Sequence, residues 1–313
     1  MTSVIIVAGE ALIDLIVGPD GALTPTPGGG PYNTARTIAR LGERVMFLGR
    51  ISTDRFGRDL RANLARDGVA DDGLIATDDP TTLAVVEVQG DGVARYHFYV
   101  EGTSAAGLTE ADAAGAVAAS AAATVTALHV GTLGLVLEPT GTTIERLVER
   151  SDPERIVMLD PNCRPGATKD PVAFRARIER IARRADVIKL SDDDLAFLAP
   201  DETPDAAIDR LLALGARLVL RTNGYNDVVV RTLSGRRSVP VPAVEVVDTV
   251  GAGDVFGGGF LASWIASRRG RGDLESIDLV RDSVQLAVRV AALSCARPGA
   301  DPPTRAELEV FPG

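Results

Sequence analysis

The sequence predicts an α/β fold in which a doubly wound, mainly parallel sheet carries helices on both faces. Short apolar runs typical of buried strands alternate with helical periodicity, and no long linker or repeat divides the 313 residues. With 45% hydrophobic residues, a chain of this length can bury a large core. We therefore expect one domain over residues 1–313, with ligands bound beyond the carboxyl ends of the strands.

The alternation begins in the first third of the chain. Residues 4–8 form an apolar run that predicts a strand, and helical periodicity over 32–41 ends at a glycine. A second strand is predicted over 45–49, and Asp54 is placed to cap a helix that ends at Gly68.

Between residues 82 and 100 the pattern changes to that of a β-hairpin. Val86 and Val88 alternate with polar residues, and the turn sequence Gly90-Asp91-Gly92 separates them from a second run over 94–100. A hairpin inserted into an α/β chain indicates a small sheet outside the main one.

From residue 110 onward, strands and helices alternate again. Predicted helices cover an alanine-rich segment at 111–123 and then 143–150, 171–184, 206–214, 253–267 and 277–295. Predicted strands cover 127–131, 156–160, 187–190 and 218–222.

Composition excludes several classes of function. A net charge of -10 and a pI near 4.9 repel nucleic acid. Glu10 and Asp14 interrupt the N-terminal apolar run, so we expect a cytoplasmic protein with no signal peptide and no membrane partner. The two cysteines and two histidines are too far apart in sequence to indicate a zinc site or disulfide. The lysines, Lys169 and Lys189, lie outside the context of a Walker P-loop.

The segment 248–256 is the strongest indication of chemistry. Gly251, Ala252 and Gly253 let backbone amides approach a ligand at the start of an apolar helix, where the helix dipole favours an anion such as a triphosphate. Asp254, in the first turn, is placed to accept a proton from an alcohol that attacks a phosphate. Taken alone, the segment is more typical of an ordinary helix start.

A second glycine-rich segment precedes the first predicted helix. Gly28, Gly29 and Gly30 run into Pro31 and Asn33 without the Gly-x-Gly-x-x-Gly spacing of dinucleotide-binding loops. Three glycines before a helix are weak evidence of function by themselves.

Together these two segments resemble the two signatures of the PfkB, or ribokinase-like, family of carbohydrate kinases. The resemblance runs nearly end to end, and the further matching segments are 9–14 (GEALID), 160–164 (DPNCR), 222–224 (TNG) and 297–300 (RPGA). It implies a ribokinase-like fold with a small β lid, formed by about 15–27 and 82–102, that closes over a sugar and excludes water. It also implies ATP and Mg²⁺ as cofactors, and a homodimer that pairs through the lid.

The resemblance also implies residue roles. Asp254 would be the catalytic base, with the amides of Gly251, Ala252 and Gly253 as the anion hole. Sugar-binding positions correspond to Asp14, just after the first strand, and to Gly29, Gly30, Asn33 and Arg164. Nucleotide-binding positions correspond to Asn162, Thr222, Gly224, Gly251 and Gly253. A surface ion pair would explain Arg164 equally well, and a plain strand-to-turn transition would explain Thr222 and Gly224.

Two sets of residues bear on metal binding. Where relatives often hold a monovalent cation such as K⁺, this chain has Asp248, Val250, Arg297 and Gly299. The family's Asn-x-x-Glu motif is replaced by Ser191-Asp192-Asp193-Asp194, in which Asp194 keeps a carboxylate that could act on Mg²⁺ through water. An acidic helix start is the alternative for Asp194.

Within the family the chain looks most like the fructokinase branch, with D-fructose as the expected substrate. A 2-keto-3-deoxygluconate kinase would typically carry an arginine at position 100, where this chain has Val100. Ribose or a nucleoside remains an alternative, and a non-catalytic sugar or nucleotide sensor is the alternative from another class.

Overall fold

The computed structural model describes residues 3–18, 20–88, 94–119 and 123–311. The predicted Gly90-Asp91-Gly92 turn and residues 120–122 of the predicted alanine-rich helix lie outside them. The described strands are β1 Ser3–Ala8, β2 Leu12–Val17, β3 Leu23–Gly28, β4 Val45–Ser52, β5 Leu74–Thr77, β6 Leu83–Val88, β7 Ala94–Tyr99, β8 Thr124–Gly131, β9 Ile156–Asp160, β10 Val187–Ser191, β11 Leu218–Asn223, β12 Asn226–Thr232 and β13 Gly235–Val239. The described helices are α1 Gly30–Arg40, α2 Arg55–Asp67, α3 Glu110–Ala119, α4 Thr140–Glu149, α5 Pro171–Ala182, α6 Asp192–Leu198, α7 Pro204–Leu214, α8 Ala252–Ala266, α9 Ile277–Cys295 and α10 Arg305–Val310.

The main sheet confirms the predicted fold class. Within the described residues its strand order is β13-β12-β11-β10-β9-β8-β1-β4-β5. The pairs from β11 through β5 are parallel, whereas β11, β12 and β13 pair antiparallel. The sequence did not predict β12 and β13, which extend the sheet at one edge.

Helices cover both faces because alternate residues of each buried strand point to opposite sides. Ile5 and Val7 of β1 lie in one apolar core with α1, α2, α8 and α9. Val4 and Ile6 lie in a second core with α3, α4, α5 and α7. The strands are therefore apolar on both faces, as expected of a sheet buried between two helical layers.

A four-stranded sheet of order β3-β2-β6-β7 forms separately within the described residues. The predicted hairpin is confirmed, because β6 and β7 pair antiparallel from Leu83 opposite Tyr99 onward. The lid expected over about 15–27 and 82–102 is built from β2, β3, β6 and β7, and its sheet begins earlier than expected, at Leu12. One expectation is wrong: Asp14 lies within β2, opposite Thr26, instead of just after the first strand.

Helix ends follow the predicted capping chemistry. Asp54 Oδ1 accepts a hydrogen bond of 2.8 Å from the Gly57 amide at the start of α2, and Gly68 ends that helix with φ at 87°. Among the described residues, no helix combines the length and apolarity that crossing a membrane requires.

Candidate active site

A cavity of about 250 Å³ lies where the carboxyl ends of β1, β8 and β9 face the lid sheet. Its lining includes the sequence-predicted residues Asp14, Gly29, Gly30, Asn33, Asn162, Arg164, Val250, Gly251, Ala252, Gly253 and Asp254. The topology therefore gathers residues from distant segments at the edge of the sheet where ligands of such folds bind.

Asp254 is held by two side-chain amides. Its Oδ1 accepts a hydrogen bond of 3.0 Å from Asn162 Nδ2, and its Oδ2 accepts one of 3.0 Å from Asn33 Nδ2. Thr34 Oγ1 donates to the Asp254 carbonyl at 3.2 Å. Asp254 as a whole residue is 6% exposed, and it lines the cavity. Each carboxylate oxygen keeps a further acceptor position, so the group can still take a proton from a bound hydroxyl.

The predicted anion hole coincides with the start of α8. Gly251 is the N-cap residue, with φ at 73°, and the helix begins at Ala252. The first amides of a helix have no carbonyl partner one turn earlier, and they lie at the positive end of its dipole. The Ala252 amide donates to the Thr249 carbonyl at 3.2 Å, so an anion would compete with that carbonyl for this donor. This cradle, residues 251–253, is suited to a phosphate group.

Glycine is required where the cradle meets its surroundings. A Cβ added to Gly251 would lie 2.6 Å from Ala300 Cβ and 3.1 Å from Asn33 Nδ2. A Cβ added to Gly253 would lie 2.6 Å from Lys189 Nζ. The 2.6 Å contact at Gly251 is too short for a real methyl group and meets an alanine Cβ that cannot rotate away, so this position requires glycine. At Gly253 the neighbour is the end of a flexible lysine side chain, which can shift.

Arg164 positions Asn162. Its Nη1 donates to Asn162 Oδ1 at 2.6 Å, to the Asn162 carbonyl at 2.9 Å and to the Cys163 carbonyl at 3.1 Å. Asn162 adopts a left-handed φ of 38°. Within the described ranges Arg164 forms no ion pair, so the surface-ion-pair alternative is wrong, and its charge faces the cavity.

Two polar groups on the cavity wall are unusual. Burial raises the pKa of Asp14 to about 7, partly opposed by Arg164 and reinforced by Asp254. Asn33 Oδ1 is buried and has no hydrogen-bond partner among the described residues. The Asp14 carboxylate and Asn33 Oδ1 can each accept a hydrogen bond from a ligand.

Several lining residues were not predicted, among them Glu10, Thr132, Tyr96 and Phe98. Glu10 is fully buried; its Oε1 accepts from the Gly30 amide at 3.0 Å and its Oε2 from the Gly134 amide at 2.8 Å. Burial raises its pKa to about 8. A charged residue two positions after a buried strand was the available signal.

The rings of Tyr96 and Phe98 stack with centroids 6.0 Å apart on the lid. Alternation along β7 places both on its cavity face. The spacing of these aromatic residues in the predicted hairpin could have identified them.

Thr222 and Gly224 lie apart from the cavity lining. Thr222 Oγ1 donates to the Leu190 carbonyl at 3.3 Å, and Gly224 forms the turn between β11 and β12 with φ at 53°. Their neighbours Asn223 and Tyr225 line a separate, open groove. Their predicted role at the nucleotide stays a prediction.

Asp194 forms a capping box at the start of α6. Its Oδ2 accepts from the Ser191 amide at 2.8 Å and from Ser191 Oγ at 2.7 Å, while Oδ1 accepts from the Cys163 amide at 2.6 Å. With 3% exposure, this carboxylate does not fit direct ligation of Mg²⁺. Among the described residues, no group of three or more His, Cys, Asp or Glu side chains could hold a metal ion. A role through water stays a prediction.

The loops predicted to hold a monovalent cation do come together. Asp248 Oδ1 accepts from the Val250 amide at 2.9 Å, and its Oδ2 accepts from the Gly299 amide at 2.8 Å. Arg297 is fixed by Glu307 at 2.7 Å. The binding of K⁺ by these loops stays a prediction.

Comparison with known proteins bears out the resemblance. A model of the pfkB family carbohydrate kinases matches residues 3–307. A fructokinase of Rhizobium leguminosarum bv. trifolii is 38% identical over 264 residues, covering 83% of this chain and 79% of that protein. A fructokinase of Vibrio alginolyticus is 30% identical over 311 residues, covering 98% of each chain.

A solved structure has a very similar fold. The crystal structure of the fructokinase from Xylella fastidiosa with bound ATP has a TM-score of 0.89 and 27% identity, covering 98% of this chain and 97% of that one. Sequence motifs, fold and site geometry agree. The chain belongs to the pfkB family of carbohydrate kinases.

Proposed function

We propose that this protein transfers the γ-phosphoryl group of ATP to a hydroxyl of D-fructose. The proposal depends most on the geometry at Asp254, whose carboxylate faces the cavity beside a helix start that can hold phosphate. Relatives named fructokinase support the choice of sugar. A related structure from Vibrio cholerae O395 contains fructose, ADP and calcium, with a TM-score of 0.86 and 27% identity over 99% of each chain.

Different residues of this chain orient the base and stabilise the transferred phosphoryl group. Asn33 and Asn162 orient the carboxylate of Asp254. This carboxylate accepts the proton of the sugar hydroxyl while the hydroxyl oxygen forms a bond to the γ-phosphorus. The bond from phosphorus to the β,γ-bridging oxygen breaks, and ADP leaves. Amides of the cradle stabilise the charge on the transferred group. The Mg²⁺ that accompanies ATP would neutralise phosphate charge.

The sugar would lie between the lid and α1. Asp14 and Asn33 Oδ1 accept hydrogen bonds from its hydroxyls, and the Gly29-Gly30 loop lets the sugar approach the base. Tyr96 and Phe98 cover it from the lid and exclude water, which would otherwise accept the phosphoryl group.

One observation favours a second candidate, 2-keto-3-deoxygluconate. Arg164 is the lining residue with a permanent positive charge, and a sugar carboxylate could pair with it. Val100 packs against the apolar cluster of Leu12 and Ala84, so it supplies no cation of its own.

The test measures ADP release with Mg-ATP and, in turn, fructose, ribose, 2-keto-3-deoxygluconate, fructose 6-phosphate and adenosine. Fructose is expected to give the highest kcat/KM. Asp254→Asn is expected to lower kcat by about 10²- to 10⁴-fold, whereas the exposed control Asp201→Asn retains it. Binding of sugar or nucleotide without turnover on any substrate would refute the proposed kinase activity and indicate a non-catalytic sensor.

The lid also offers a surface for a second copy of the chain. Along β3 and β7 the face opposite the cavity carries Leu23, 57% exposed, and Tyr99, 60% exposed. Comparing the sedimentation of the wild type with that of Leu23→Glu tests the homodimer.

We place the protein in the cytoplasm, where its free Cys163 and Cys295 stay reduced.

A further inference from the structure

Unfavourable backbone conformations in this protein concentrate at the cavity. Among the described residues, three that are not glycine have a left-handed φ: Thr132 at 57°, Asn162 at 38° and Arg268 at 54°. Thr132 and Asn162 line the cavity, whereas Arg268 follows the end of α8. A β-branched residue such as threonine rarely adopts this conformation, and such outliers cluster at functional sites. The conformation of Thr132 therefore indicates a role for its side chain.

The hydroxyl of Thr132 lies close to the proposed base. Thr132 directly follows β8, and a Cβ added to Gly30 would be 2.2 Å from Thr132 Oγ1 and 3.1 Å from Asp254 Oδ1. The two oxygens are therefore at most about 5.3 Å apart, the sum of these distances. Because Gly30 has no side chain, it leaves the point between them open. Two consecutive O–H···O hydrogen bonds of about 2.7 Å each span that distance, so a single ligand oxygen can contact both groups.

The two oxygens offer different hydrogen-bonding groups to a ligand. Asn162 Nδ2 donates to Asp254 Oδ1 at 3.0 Å and, at a longer 3.4 Å, to Thr132 Oγ1. The hydroxyl hydrogen of Thr132 has no acceptor among the described residues, so it is free to bond a ligand. A carboxylate offers acceptors alone. A donor and an acceptor on either side of one position match an alcohol, which accepts one hydrogen bond and donates another, better than they match a carboxylate or an ammonium group.

We propose that Thr132 is a substrate-binding residue that positions the reacting hydroxyl of the sugar. Thr132 Oγ1 donates its hydrogen to the oxygen of that hydroxyl, and the hydroxyl donates its own hydrogen to Asp254 Oδ1. The left-handed backbone places Oγ1 against Gly30, and Asn162 bonds both Thr132 and the base. This inference rests on the proposed transfer of a phosphoryl group to a sugar hydroxyl with Asp254 as base. The second contact fixes the direction of the attacking oxygen, which a bond to Asp254 alone would leave free to rotate.

The experiment compares three substitutions of Thr132. Thr132→Val keeps the β-branched shape and removes the hydroxyl, Thr132→Ser keeps the hydroxyl, and Thr132→Gly removes the side chain. Calorimetry gives the Kd for fructose, and ADP release gives kcat and the KM values for fructose and Mg-ATP. Thr132→Val is expected to lower kcat/KM for fructose by about tenfold, through the loss of one hydrogen bond to the substrate, and to raise the Kd for fructose. The KM for Mg-ATP should not change.

The serine and glycine variants separate this role from a structural one. Thr132→Ser should retain most of the wild-type kcat/KM for fructose. Thr132→Gly should unfold at the same or a higher denaturant concentration, because glycine adopts this φ without strain, and its fructose affinity should fall as in Thr132→Val. The control Thr142→Val, at an exposed position of α4 outside the cavity lining, should match the wild type.

Failure of this inference and failure of the proposed function give different results. Wild-type kcat/KM and Kd in Thr132→Val, or equal losses in Thr132→Val and Thr132→Ser, would overturn the proposed role of Thr132. A Thr132→Gly variant that binds fructose as tightly as the wild type would overturn it as well. A wild-type protein that neither binds nor phosphorylates fructose would instead refute the proposed function.

Discussion

Gly251→Ala tests whether the cradle depends on close approach of the backbone. Alanine must adopt φ at 73°, a left-handed conformation that costs about 1–2 kcal/mol. Its Cβ would also lie 2.6 Å from Ala300 Cβ, and such overpacking costs a further 1–3 kcal/mol or so. We therefore expect a loss of about 2–5 kcal/mol in the free energy of unfolding, the sum of these two ranges.

The same substitution should impair catalysis. Relief of the contact with Ala300 requires the start of α8 to move, and the added Cβ also lies 3.1 Å from Asn33 Nδ2, which orients Asp254. A displacement of about 1 Å at a reacting centre can cost about 10²-fold in rate. We expect kcat for the sugar to fall by about that factor.

Gly68→Ala is the matched control. Gly68 has φ at 87° at the end of α2, and a Cβ there meets nothing within 4 Å. Chemical denaturation should show a loss of only about 1–2 kcal/mol for this variant, with kcat unchanged. Adding Ala300→Gly to Gly251→Ala should restore part of the stability. Equal losses for Gly251→Ala and Gly68→Ala, with full activity in both, would refute the steric reasoning.

Three further predictions concern buried carboxylates. The pKa of Asp14 is about 7, so the KM for fructose should fall as pH rises from 6 to 8 and Asp14 ionises; in Asp14→Asn this dependence should vanish. The native state holds an extra proton on Glu10 between its unfolded pKa of 4.5 and its folded pKa of about 8. Stability should therefore fall by about 1.4 kcal/mol per pH unit as pH rises across that window, and denaturation of Glu10→Gln should lack this contribution. Asp194→Ala removes the capping box and should lower the free energy of unfolding by about 1–2 kcal/mol. If Asp194 acts on Mg²⁺ through water, the Mg²⁺ concentration that gives half-maximal turnover should also rise in this variant.

Periodicity and local motifs predicted most of the main sheet. Buried parallel strands are continuous apolar runs, and capping residues such as Asp54 act within one helical turn, so both are visible in a short window. The strands β12 and β13 were missed because Arg231, Arg236 and Arg237 interrupt the apolar pattern at the edge of the sheet. An edge strand needs less apolar sequence than a central one.

Only part of the candidate site was predicted, because residue type is visible in a short stretch of sequence and long-range pairing is not. The chemical type of Asp254 and the small residues of the cradle are local properties, and the sequence indicated both. The position of Asp14 was misjudged because β2 pairs with β3 and β6 only in the folded chain. Lys189 carried no motif, and its place under Gly253 follows from strand order and helix packing.

The orientation of the proposed base depends on this long-range closure. Asn33 is 221 positions from Asp254 along the chain, and Asn162 is 92 positions away, yet their amides fix the two oxygens of one carboxylate. Arg164 fixes Asn162 in turn, and Glu10 holds the amide of Gly30 at the start of the helix that carries Asn33. A free aspartate at a helix start would rotate and hydrogen-bond to water. Because each oxygen is held from a different segment, the proton acceptor is oriented before the sugar arrives, which lowers the entropic cost of the reaction.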